Sequence, residues 1–355
     1  MLAVTNYLLL DIMKVMRILS LLFEKKGLLY NGIACLYVVI GYIIGWFGLF
    51  SANWVINFLC VLLLGHSMTI AAYMIHECGH NLVFRKMSHN ARLGNFMSWI
   101  CGACYGTYED MRYKHFRHHV DNDDVMWFDY ERFFEEHPKT LKVTKLLEWF
   151  YIPAHDLLMH VIMMFTSFII PKRRNQRIRN VKVIFIRFTI FLGIIFYSIK
   201  LATLYALAYI FMMTILRFMD SLQHDYPYSL TLFEFSKPPR KGDFEWEQEH
   251  TFSNPHSLKH DWLNWVTMNF GFHNAHHHDM DIPWYRLPQK HREMFGHGSD
   301  LVIPFLVQLR IFHKQRVARI VGNHGEDTPE GREFLKAARK GEVYGGNAAS
   351  FLTSF

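Results

Sequence analysis

Charge is scarce in this chain. Asp, Glu, Lys and Arg make up 19% of the 355 residues, against about a quarter in an average soluble domain. That shortfall argues against an ordinary water-soluble enzyme and makes a bilayer the solvent for part of the chain. Cysteine is scarce too. The five (Cys35, Cys60, Cys78, Cys101, Cys104) all fall in the first third, three of them in apolar runs, which argues against a disulfide scaffold. Cys101 and Cys104 form a lone CxxC, read as small packing residues in an apolar stretch. No glycine-rich nucleotide motif, iron-sulfur cysteine set or fused haem module is present, so reducing power would have to come from another protein. The charge balance of +7 comes without a basic block interleaved with aromatics. It suits an anionic membrane face or an acidic partner, not nucleic acid.

What is abundant is apolar: 51% hydrophobic residues, including 31 Phe and 18 Met. Mean hydropathy is nonetheless only +0.04, so long polar stretches must alternate with the apolar ones. At 1.5 Å per helical residue, runs 28–50 and 54–75 are long enough to cross about 30 Å of hydrocarbon. Ser51-Ala52-Asn53 between them is so short that they must form a hairpin. Runs 183–199 and 201–219 make a second hairpin. The expected fold is therefore all-α and integral to the membrane, with four spans in two hairpins and a helical cap over residues 76–182 and 220–300. Residues 1–27 read as an interfacial helix, 28–300 as the membrane domain and 301–355 as a basic tail with helices over 305–321 and from 329, capped by Asp327 and Thr328. Shorter apolar runs at 93–108 and 157–170 read as re-entrant or interfacial helices. Lys172, Arg173, Arg174, Arg177, Arg179 and Lys182 precede the third span, and Lys14, Arg17, Lys25 and Lys26 the first, which makes that side, with both termini, cytoplasmic.

The 22 histidines are the anomaly, and most fall in the polar stretches. His76-Glu77-Cys78-Gly79-His80 is an HExxH, which on a helix presents two imidazoles on one face and invites a zinc-protease reading. Two further clusters, His115-Phe116-Arg117-His118-His119 and His273-Asn274-Ala275-His276-His277, are each HxxHH. Such a protease has no use for them. Together the clusters supply eight nitrogen ligands, too many for one metal ion and suited to two. Imidazole alone does not choose the metal, but a closed structural zinc site would need only four ligands, and a redox site is the more economical reading.

HxxxH, HxxHH and HxxHH in this order, with a pair of spans between the second and third, resemble the membrane fatty acid desaturase and hydroxylase superfamily. Leu222-Gln223-His224-Asp225-Tyr226-Pro227 resembles the segment after its fourth span that adds a histidine, and Pro283-Trp284-Tyr285 resembles the tail of its third box. The resemblance runs over roughly 28–290. It implies that His76, His80, His115, His118, His119, His224, His273, His276 and His277 hold two iron ions and are the catalytic centre, with dioxygen as co-substrate. Asp220 and Glu77 would sit behind the ligands as orienting carboxylates. The expected reaction is desaturation of a fatty acyl chain in a bent hydrocarbon tunnel, with hydroxylation or oxidative decarboxylation to a terminal alkene as alternatives. Electrons would come from an external carrier, ferredoxin-like or a small haem protein, with its reductase. A non-enzymatic metal transporter is the reading from another class, disfavoured because transporters place their ligands near the midplane of the spans.

Other residues carry plainer expectations. His278 points about 100° away from its neighbour on a helix and reads as a bystander. His66, His155 and His160 read as core or interfacial histidines, and His250, within Glu247-Gln248-Glu249-His250, as part of a solvated loop, with a place behind the metal ligands as the alternative. Asp121, Asp123 and Asp124 could orient the second box or form a solvated acidic turn. Arg112, Lys114, Arg117, Arg240 and Lys241 read as membrane-surface basicity, with a lipid or substrate headgroup as the alternative.

Overall fold

The computed structural model describes residues 20–226, 229–233, 237–296, 298–321 and 329–342. The helices, in chain order, are α1 (Gly27–Leu49), α2 (Trp54–Gly79), α3 (Met87–Cys101), α4 (Tyr108–Asp121), α5 (Tyr130–Glu136), α6 (Pro138–Trp149), α7 (Ala154–Ile169), α8 (Arg177–Tyr197), α9 (Ile199–Asp220), α10 (Phe244–Glu249), α11 (His273–His278), α12 (Leu287–Phe295), α13 (Phe305–Gln315) and α14 (Gly331–Lys340). Two short strands, β1 (Asp124–Met126) and β2 (Ser229–Thr231), pair in parallel. That ladder ties the loop after α4 to the loop after α9.

Among the described residues, four helical segments are long and apolar enough to cross a membrane: α1, α2, the stretch Pro171–Tyr197 that ends in α8, and α9. The α1–α2 hairpin closes through asparagine chemistry. Asn53 accepts from the Val55 amide at 2.8 Å as the N-cap of α2, and the Asn57 amide donates to the carbonyls of Gly48, Leu49 and Ser51, the last groups of α1 and its turn. Ser198 caps α9 in the second hairpin. The two turns meet: Lys200 Nζ donates to Ser51 O at 2.7 Å and lies over the Trp54 ring. All four spans therefore share one turn end, and their other ends share the opposite side with the shorter helices. Outward residues such as Phe47, Phe188 and Phe196 are exposed, as a lipid-facing surface requires.

Some boundaries differ from expectation. α2 continues to Gly79, beyond 75, because its backbone ladder persists after the apolar run ends, so His76 and Glu77 belong to the spanning helix. Stretch 93–108 is not one helix. α3 stops at Cys101, Gly102 turns left-handed (φ 87°), and a Cβ there would come within 2.7 Å of the Tyr209 ring. Stretch 157–170 is helical, as α7. Residues 301–321 and 329–342 do not trail away. Leu301, Ile303, Ile311, Phe334, Leu335 and Ala338 pack with Leu222 and Phe252 in one cluster, fastening α13 and α14 to the loops beneath the spans. The expected interfacial helix lies almost wholly outside the described residues, and the Asp327-Thr328 cap entirely so.

Candidate metal centre

Four segments deliver the nine histidines. α2 carries His76 in its last turn and ends on His80. α4, started by the Thr107 hydroxyl accepting from the Asp110 amide, presents His115, His118 and His119. His224 follows α9 and is held by a bridge to Thr251, and α11 contributes His273, His276 and His277. All nine are buried. They sort into two groups, His76 with His80, His115 and His276, and His118 with His224, His273 and His277, each with its nitrogens within 4.8 Å of one another. In the first, His76 Nε2 and His276 Nε2 are 3.1 Å apart. In the second, His224 Nε2 is 3.1 Å from His118 Nε2 and 2.8 Å from His273 Nε2. His119 stands between: its Nε2 is 3.0 Å from His115 and 3.1 Å from His276, while its ring centre lies 4.1 Å from that of His277.

The outer nitrogens show why these rings face inward. His118 Nδ1 lies 2.8 Å from the Asp123 carbonyl oxygen, to which it can only donate. His277 Nδ1 lies 2.7 Å from Glu247 Oε1, and His224 Nδ1 lies 3.3 Å from Thr251 Oγ1. A neutral ring that donates from Nδ1 has a bare lone pair on Nε2. Lone pairs opposed at about 3 Å repel unless a cation sits between them, and ligands at about 2.1 Å from one ion are about 3 Å apart when adjacent. The donor set therefore fits two metal ions. Burial and the neighbouring imidazoles hold His80, His115, His119, His224, His273, His276 and His277 well below the ordinary histidine range, and burial brings His118 to about 4. The rings are thus neutral, the form that binds metal.

The two carboxylates expected behind the ligands sit differently. Glu77 is buried, accepts from the Trp284 amide at 3.2 Å and places Oε1 3.6 Å from His76 Nδ1. Asp220 ends α9 in the neighbourhood of Lys114 and belongs to neither histidine group. The carboxylate on a histidine nitrogen is one that sequence reasoning missed: Glu247, from the six-residue α10, which burial pushes up to about 8. Its only signal was the acidic run before His250. His250 itself is not in a solvated loop. It is buried, its Nδ1 lies 2.9 Å from Asp225 Oδ1 and its ring stacks on Trp246.

Asp121 and Asp123 are buried as well. Asp121 pairs with Arg117 and Lys241, each at 2.7 Å or closer, and burial pushes Asp123 up to about 8. Lys114 and Arg117 are buried, not surface basicity, whereas Arg240 is exposed; Arg112 donates to Gly79 O at 2.9 Å. His278 is exposed. His66, His155 and His160 stand apart from both groups, His66 between Tyr37 and the Val266 carbonyl, and His160 against Tyr209. Cys101 and Cys104 are buried free thiols.

A family model described as fatty acid desaturase matches residues 52–305, well over half of the chain. The chain belongs to the fatty acid desaturase family. No curated protein and no solved structure matches it. As a desaturase-family member with four apolar spanning helices it is a multi-pass membrane protein and an oxidoreductase of desaturase type. An apolar cavity of about 240 Å³ has Tyr30, Ala34, His66, Ile70, Trp265 and Trp284 in its wall and none of the nine histidines. Trp284 joins that wall to Glu77, and Phe270 stacks edge-on to His76.

Proposed function

We propose that the chain is a di-iron, dioxygen-dependent desaturase that introduces a double bond into a fatty acyl chain. The observation that carries this reading is the pair of buried, neutral histidine groups in a chain of this family. Two bound irons would supply the activation of dioxygen and the oxidising power that no side chain has. The overall reaction balances as one CH2–CH2 unit, O2, two electrons and two protons giving one CH=CH unit and two waters.

The chain's own residues do the rest. His76, His80, His115, His119 and His276 would hold one ion, and His118, His224, His273 and His277 the other. The Asp123 carbonyl, which can only accept, fixes which nitrogen of His118 points inward, and Glu247 and Thr251 orient the rings of His277 and His224. The aromatic wall around Trp284 would exclude water and position a methylene, where an error of 1 Å costs about 100-fold. The basic residues before the first and third spans support a cytoplasmic site, where an acidic ferredoxin-like carrier or a small haem protein with its reductase could dock. Turnover should then fall as ionic strength rises.

The test is product analysis. The full chain in mild detergent, with iron, reductant, carrier, oxygen and mixed acyl substrates, should yield an internal alkene only when oxygen is present. An alcohol, or a terminal alkene one carbon shorter, would reassign the outcome to hydroxylation or decarboxylation. Bound zinc with no oxygen consumption after iron-replete expression would remove the oxidative reading altogether.

A further inference from the structure

A second cavity, of about 430 Å³, opens between α7, α8 and α9, away from the histidine groups. Its walls are mostly aliphatic, and Val161 and Ile195 at its edge are exposed, so the mouth faces the lipid. A guanidinium lines it. Arg187 lies in α8, four residues into the apolar run 183–199. Its side chain is 7% exposed, its Nε has no hydrogen-bond partner, and among the described residues no carboxylate forms an ion pair with it. Tyr105 and Tyr205 line the cavity with it, and it lies 4.9 Å from the Phe191 ring centre. The Tyr209 hydroxyl, bonded to His160 Nε2 at 2.9 Å, lines the same cavity.

A buried permanent cation in a spanning helix without a counter-charge is costly, and intramembrane ionisable groups mark binding sites. Hydroxyls and a ring face lower that cost but do not neutralise the charge. We infer that this cavity binds a long-chain fatty acid head first, its carboxylate on Arg187 and its alkyl chain along the α8–α9 wall. A carboxylate matches the planar donor fork of a guanidinium, and the volume lies within the range of about 300–1,000 Å³ typical of ligand sites. A phospholipid fits less well, since its glycerol and second chain would bring polar esters to a wall that offers them few partners. The site does not depend on the reaction proposed above.

Photo-crosslinking tests this on the full chain in detergent, with a diazirine analogue of palmitate and the labelled peptides mapped by mass spectrometry. Label is expected in segments 157–164 and 191–210, in iron-loaded and metal-free protein alike, and should be competed by palmitate at least tenfold better than by methyl palmitate. Arg187→Met should reduce this label at least tenfold, and Ala206→Trp, which fills the mouth and leaves Arg187 in place, should also abolish it. Equal competition by the ester, or displacement by phosphatidate but not by palmitate, overturns the inference. The ester comparison needs no variant, so a misfolded Arg187→Met protein would not obscure the answer. Loss of alkene formation with this labelling intact would count against the desaturase reading alone.

Discussion

Eight of the nine imidazoles are the least ambiguous residues in the sequence, because two HxxHH clusters and an HxxxH give the same convergence on any helix. What holds them could not be read there. Glu247, Thr251 and the Asp123 carbonyl come from short segments without periodicity, brought to the histidines by loops that the β1–β2 ladder joins. Glu247→Gln should weaken metal retention about 10- to 100-fold, the usual cost of losing a partner behind a ligand, read as iron remaining after graded chelator treatment. Full retention would show that Glu247 is dispensable. Acid should act on the ligands themselves. Burial lowers His118 from 6.5 to about 4, and its neighbours shift the same way. Below pH 6.5 the unfolded chain therefore binds more protons than the native one, and stability rises with pH. This contribution is fully present above about pH 6.5 and lost as pH falls towards 4. The melting temperature of the metal-free protein in detergent should be flat above neutrality and drop through that window. A rise on acidification would contradict the neutral-imidazole assignment.

The spanning elements were legible from run length, and both hairpins from the brevity of their turns. Their ends were not, since the helical ladder of α2 outlasts its hydropathy by one turn, and that turn carries His76. Helix contacts depend on small residues that composition does not reveal. A Cβ on Gly65 would lie 2.6 Å from the Ala208 carbonyl oxygen of α9, so Gly65→Val should push α2 and α9 apart at a cost of about 1–3 kcal/mol, measured as earlier thermal unfolding. The role of α14 was also hidden. Gly331, in the left-handed region at φ 57°, donates its amide to the Asp225 carboxylate, which in turn engages His250, next to Thr251 and the His224 bridge. Truncating the buried Phe334, which stacks on Phe252, removes the anchor of that arrangement. Phe334→Ala should cost about 3–5 kcal/mol and lower iron retention although it is not a ligand, whereas unchanged retention would confine α14 to a stabilising part.

As a whole, two hairpins sharing one turn end leave four helix ends on the opposite side, and the shorter helices gather there around the histidines. Burial there strips water and protons from the imidazoles, which keeps them in the form that binds metal. The spans and the three histidine clusters were legible because they rest on local spacing, whereas His224, a lone histidine after α9, was pointed to only by the family resemblance. The sequence did not show the division of nine histidines into two groups, which is a property of four segments meeting. That division is the central claim, and metal stoichiometry tests it most directly. The full chain, expressed in iron-replete medium and purified in mild detergent, should carry two irons. His118→Ala combined with His273→Ala, two changes confined to one group, should leave one. Zinc in place of iron, a single metal in the unaltered chain, or loss of both ions in the double variant while the fold persists would contradict two separately held ions.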